Sequence, residues 1–170
     1  LNPSNGKIKQ LQAKEDVISD YSIANQAFEM VYFGLSASNS QRLYTYNLKN
    51  DASSCLIDLS KEILRDVTLG EVQDWNFVSA QGDTIYGRFY LPPHFDATKK
   101  YPMIVNYYGG TTPTARVMES RYPSHVYAGL GYIVYIIQPS GATGFGQEFS
   151  ARHVNAWGKL TADEIIEGTK

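Results

Sequence analysis

Residues 101–110, Tyr101-Pro102-Met103-Ile104-Val105-Asn106-Tyr107-Tyr108-Gly109-Gly110, join a short apolar run to a polar ring and two glycines. A buried strand that ends this way has a chemical use. Glycine lets the backbone approach a ligand closely and visit positive φ. A phenol held just before the pair can donate its O–H to an oxyanion. Tyr108 stands where such a donor would, and the same stretch also reads as an ordinary strand-to-turn junction. Tyr107 points to the opposite face if the strand continues, which predicts core packing for it.

The remaining chemistry-bearing types read more plainly. Gly141-Ala142-Thr143-Gly144-Phe145-Gly146 follows an apolar run and precedes a helical pattern, the place of a phosphate-binding loop. Its spacing is G-x-x-G-x-G with no Lys-Ser/Thr behind it, so it reads as a structural loop. His125 and His153 have no second ligand three or four residues on, and His94 sits in a polar loop, so no metal site is expected. One cysteine, Cys55, excludes an internal disulfide and a Cys-rich zinc site, and it reads as a small buried strand residue. No cofactor is expected. Glu15-Asp16 and Asp163-Glu164 read as solvated faces or helix caps. Glu62 and Asp66 flank Arg65 where two domains would join, and could tie them together. Trp157 reads as a core anchor.

Two styles of element must position these residues. The first seventy read as short strands between polar turns: an alternation at Lys7 to Gln12, a strand end at Asp16 to Asp20, then strands at Phe28 to Leu35, Arg42 to Leu48 and Ser54 to Leu59. Turns at about 8–12 residue spacing predict a meander, sandwich or propeller blade. A hairpin follows, Val72 to Ala80 and Thr84 to Leu91, closed by Pro92-Pro93. The pattern then changes to strand, helix, strand, helix, and the boundary between the two styles falls near Leu69-Gly70. Met103 to Tyr107 and Tyr132 to Ile137 read as strands buried on both faces. Pro123 to Leu130, Gln147 to Asn155 and Thr161 to Lys170 read as helices, the last opened by a Thr161/Glu164 capping box. This alternation predicts a parallel, doubly wound sheet.

Composition narrows the function classes. The chain has 170 residues, 43% hydrophobic, with a net charge of −2. That balance argues against nucleic-acid binding through the bulk field, and no apolar run approaches the ~20 residues of a membrane span. Tyr occurs 13 times and Gly 14, which suits pleated surfaces and turns. No signal pattern follows Leu1, so the compartment is left open.

Five stretches in order resemble the prolyl oligopeptidase family of serine peptidases. Ser79-Ala80-Gln81-Gly82-Asp83-Thr84-Ile85-Tyr86-Gly87 is similar to its "s-x-dG-x-x-i-x-g" hairpin. Leu91-Pro92-Pro93-His94-Phe95-Asp96 through Tyr101-Pro102 is similar to the segment leading into its sheet. Tyr108-Gly109-Gly110 stands at its Tyr/His-Gly-Gly-Pro loop, and Gly141 to Phe149 at its "R-G-s-x-G-y-G-x-x-f" loop. Trp157-Gly158 followed by Asp163 resembles its "W-G-x-x-x-x-x-D" lead-in. Two positions depart from the pattern: Thr111 replaces Pro, and Ser140 replaces Arg.

The resemblance implies an α/β fold: an N-terminal β-meander, the last propeller segment, over residues 1–70, then the first part of an α/β-hydrolase sheet over residues 71–170. It implies a Ser-Asp-His triad acting on oligopeptides, with Tyr108 beside the oxyanion. The nucleophile of such enzymes sits in a G-x-S-x-G elbow, and this sequence contains none. The triad is therefore expected downstream, the chain alone is expected to be inactive, and none of the three histidines is expected to be the catalytic base. A noncatalytic β-rich binding module and an α/β-hydrolase esterase are the alternative readings. Exposed strand edges would favour self-association into a homo-oligomer.

Overall fold

A computed structural model describes residues 4–156 and 158–170. The chain is mostly β-sheet and divides into two compact units, Leu1–Val67 and Thr68–Lys170.

The first unit is one antiparallel sheet of β1 (Val17–Ile23), β2 (Glu29–Leu35), β3 (Arg42–Asn47) and β4 (Ala52–Asp58), paired in sequence order. Alternation along β2 buries Met30 and Tyr32 and exposes Glu29 and Val31. Met30 pairs with Tyr46 and Tyr32 with Tyr44, so the buried side chains of β2 and β3 meet on one face. The Tyr32 and Tyr44 rings stack at 5.0 Å. Their phenolic ends explain why tyrosine serves here. The Tyr32 hydroxyl accepts the Lys14 N–H at 3.2 Å and lies 2.8 Å from the Ser53 hydroxyl. The Tyr46 hydroxyl accepts the Gln12 N–H at 3.2 Å and donates to Asp51 at 2.9 Å. The chain before β1 is thus held by side chains rather than by a ladder. The strand expected at Lys7 to Gln12 is absent, and Ile8 is exposed.

Two other expectations fail in this unit. Glu15 is not a solvated face. Its side chain lies over Gly34, where a Cβ would come within 2.5 Å of its Cγ. It accepts hydrogen bonds from the Tyr44 hydroxyl and from Arg42. Burial and the bond to Glu15 push the Tyr44 phenol up to about 12. Cys55 is exposed, because β4 pairs with β3 alone and its side chains are largely uncovered. A one-turn helix, α1 (Ser60–Ile63), was not anticipated. Beyond it Arg65 pairs with Glu62 at 3.1 Å and Asp66 at 3.6 Å, exposed local pairs inside the first unit.

The second unit is a sheet of β5 (Val72–Val78), β6 (Thr84–Tyr90), β7 (Met103–Asn106) and β8 (Ile133–Gln138), in the order β5-β6-β8-β7. It is mixed, not parallel throughout. β5–β6 and β6–β8 are antiparallel, and only β7–β8 is parallel. After Pro92-Pro93 the chain passes the neighbouring position, and β8 later fills it. As a strand with partners on both sides, β8 buries Val134 through Gln138. β7 pairs with β8 alone, so Met103 is exposed and the rest only half-buried, against the expectation for that run.

α2 (Ser124–Gly129) lies between β7 and β8, and α3 (Gln147–Ala151) and α4 (Lys159–Gly168) follow. α3 is shorter than expected. α4 starts two residues early from Gly158, so Thr161 and Glu164 lie inside it, buried, and form no capping box. Trp157 lies outside the described residues. The core gathers Ile85, Tyr135, Ile137, Ala142 and Phe149, with Phe89 and Ile165 packed against it.

Tyr135 stacks on Phe89 at 4.5 Å, and its hydroxyl is buried without a hydrogen-bond partner. Burial pushes that phenol up to about 12. An unpaired buried hydroxyl costs about 1–3 kcal/mol. Tyr135→Phe is therefore expected to raise the stability of the full-length protein by about 1 kcal/mol in chemical denaturation. A destabilised variant would show that the hydroxyl contributes.

Candidate functional site

Tyr107 and Tyr108 lie just past the end of β7, and both are about half exposed, at 49% and 55%. Tyr107 is thus not a core residue, because the strand stops before it. Neither Gly109 nor Gly110 takes positive φ. Gly110 is needed for another reason: a Cβ there would come within 2.7 Å of the Tyr108 ring.

The loop is anchored from two sides. Thr114 donates its N–H to the Gln138 side-chain oxygen at 2.9 Å, and the Gln138 amide donates back to the Thr114 carbonyl at 2.6 Å. The Thr114 hydroxyl accepts the Tyr108 N–H at 3.1 Å. Thr111 gives its carbonyl to the Thr143 N–H at 2.8 Å and to the Thr143 hydroxyl at 3.1 Å, linking the loop to the glycine-rich segment. The Tyr108 N–H is engaged, so the exposed phenol is the donor that Tyr108 can offer.

Behind this loop lies 140–146. Gly141 has φ of 96°, and the His153 ring occupies the space where its Cβ would be. His153 Nε2 is 3.1 Å from the Ser140 carbonyl, which gives that histidine a structural position. Ser140 is buried and donates its N–H to the Glu164 carboxylate at 2.7 Å. The other Glu164 oxygen and the Ser140 hydroxyl have no hydrogen-bond partner. Glu164 is thus neither a cap nor a solvated acid. Burial, against the bond from Ser140, holds its carboxyl above the ordinary value of 4.5.

This carries a sign. An acid whose carboxyl is raised in the folded state is stabilising while protonated, and that contribution is lost as pH rises above its ordinary value. Relative to wild type, Glu164→Gln is expected to gain stability as pH rises from 4 toward 8, read by urea denaturation of the full-length protein. A pH-independent difference would refute this.

A second network supports the chain beyond Thr114. Asp74 accepts from Arg88 at 2.7 Å and from Arg116 at 2.9 Å, and Tyr90 donates to the Arg116 carbonyl at 3.4 Å. Bonding to Arg88 holds the Asp74 carboxyl below the usual range. Among the described residues no cluster of His, Cys, Asp or Glu could hold a metal ion, and no helix is long and apolar enough to cross a membrane.

No protein-family model matches the chain. Curated relatives do. It is 34% identical over 95 residues to a probable dipeptidyl-peptidase 5 of Aspergillus terreus, covering 55% of this chain and 12% of that protein. It is 31% identical over 146 residues to dipeptidyl-peptidase 5 of Porphyromonas gingivalis, covering 85% of this chain and 21% of the relative. These relatives support a prolyl oligopeptidase-family serine peptidase.

Human dipeptidyl peptidase 8 is 32% identical over 111 residues, 62% of this chain and 12% of that protein. The fold agrees with solved structures. Acylaminoacyl peptidase of Pyrococcus horikoshii superposes with a TM-score of 0.82 at 19% identity, over 97% of this chain and 26% of that one. A puromycin hydrolase gives 0.76 at 17% identity, over 97% and 25%. The chain thus spans about a fifth or less of these curated relatives.

The family's W-G-x-x-x-x-x-D spacing, counted from Trp157, falls on position 164. There the acid is Glu164, buried against Ser140, while Asp163 is exposed. Where the family has Arg before the glycine, Ser140 and a carboxyl held above its ordinary value stand together. The motif spacing carried the signal for Glu164. Thr114 and Gln138 carry no sequence signal, because their pairing is made by strand order.

Proposed function

We propose that this chain is part of a serine peptidase that hydrolyses peptide bonds of oligopeptides. Residues 1–70 are read as the end of a β-propeller and residues 71–170 as the start of an α/β-hydrolase domain. The Ser-Asp-His triad is placed downstream of this chain, and Tyr108 is the phenolic donor of the oxyanion hole. The carrying observation is the phenol itself: it is exposed just past β7, while its own backbone N–H is bonded to Thr114. A donor fixed before charge develops is what stabilises a tetrahedral oxyanion. The peptidase names of the relatives support the reaction class, and the mixed β5-β6-β8-β7 sheet supports the domain reading.

In this mechanism the downstream serine attacks the scissile carbonyl with histidine as general base. Negative charge collects on the carbonyl oxygen, and the Tyr108 O–H donates to it. The test is hydrolysis of a panel of chromogenic dipeptide, tripeptide and acyl-amino-acid substrates by the full-length protein, with and without a serine-directed fluorophosphonate. Turnover abolished by the reagent is expected. Turnover resistant to it would overturn the reading. Residues 1–170 alone are expected to show no hydrolysis above background.

A further inference from the structure

We infer that Thr114 and Gln138 are positioning residues that set the place of Tyr108, an inference that rests on the oxyanion reading above. Gln138 ends the central strand β8 and is 1% exposed. Its amide can grip a backbone unit only by matching one donor and one acceptor, and Thr114 supplies both. The Thr114 hydroxyl then accepts the Tyr108 N–H and lies 3.4 Å from the Ile137 carbonyl. One threonine therefore joins the tyrosine backbone to the end of β8.

The consequence is geometric. Past Asn106 the loop has left the ladder, so Tyr108 has no strand to hold it. The bond chain from β8 through Gln138 and Thr114 replaces the missing ladder. The tie from Thr143 to Thr111 fixes the loop further along. The ring posture is then limited by Gly110, which leaves the space the Tyr108 ring fills. A misplacement of about 1 Å in a catalytic group can cost ~100-fold in rate, so loss of the clamp is read in turnover.

The experiment compares Thr114→Val, Thr114→Ser, Gln138→Met and Tyr108→Phe in the full-length protein, measuring kcat, KM and amide hydrogen exchange at residues 107–111. Thr114→Val and Gln138→Met are expected to lower kcat by about 10- to 100-fold with KM little changed. They should also speed exchange at the Tyr108 amide. Thr114→Ser, which keeps the hydroxyl, should restore both. In a Tyr108→Phe background, Thr114→Val should lower kcat no further. Additive losses, or variants that change neither kcat nor exchange while Tyr108→Phe lowers kcat, would overturn the clamp and leave the oxyanion role standing. Faster exchange with wild-type turnover in Tyr108→Phe would sustain the clamp and overturn the oxyanion role.

Discussion

Tyr108→Phe in the full-length protein is expected to lower kcat by about 10²–10³-fold, ~3–4 kcal/mol, with KM nearly unchanged. Only the hydroxyl is removed. The ring that lies against Gly110, and the backbone bonded to Thr114, are kept. Substrate carbonyl oxygen carries little charge in the ground state and full charge in the tetrahedral intermediate, so a lost donor is felt in the second state. That is why the effect falls on kcat. A rise in KM at constant kcat would instead make Tyr108 a substrate-binding residue. Unchanged kcat and KM would remove it from the site.

Gly141→Ala is expected to destabilise the full-length protein by about 2–5 kcal/mol. Two effects add. At φ of 96° an L side chain is strained by roughly 1–2 kcal/mol. The new Cβ would also sit 1.3 Å from His153 Cδ2, and making room costs about 1–3 kcal/mol more. His153 cannot simply withdraw without giving up its 3.1 Å contact with the Ser140 carbonyl. Gly144→Ala separates the two effects: φ there is 95°, yet nothing lies within 4 Å of its Cβ. It should show the backbone cost alone. Equal urea midpoints for the two variants would mean that the His153 ring moves aside freely.

The Tyr108 loop was legible because its residues are contiguous: an apolar run, a phenol and two glycines need no partner to be recognised. The hairpins were legible for the same local reason, since alternation and turn residues lie within a few positions of each other. Glu164 was misread because a single acid after a threonine looks like a cap, while burial depends on what the helix packs against. Cys55 and Met103 were misread as buried because apolar type does not say how many neighbours a strand has.

From the sequence alone came the five ordered motifs, the family resemblance they carry with its candidate Tyr108, and the lack of a G-x-S-x-G elbow. These are facts of residue type and spacing. Tertiary structure decided that β8 lies between β6 and β7, because strand order depends on where the connection after Pro92-Pro93 carries the chain. From that order follow the burial of Gln138 and its pairing with Thr114, residues 24 positions apart. No local pattern encodes such a pair, since it exists only once the ends of two segments meet across a folded sheet.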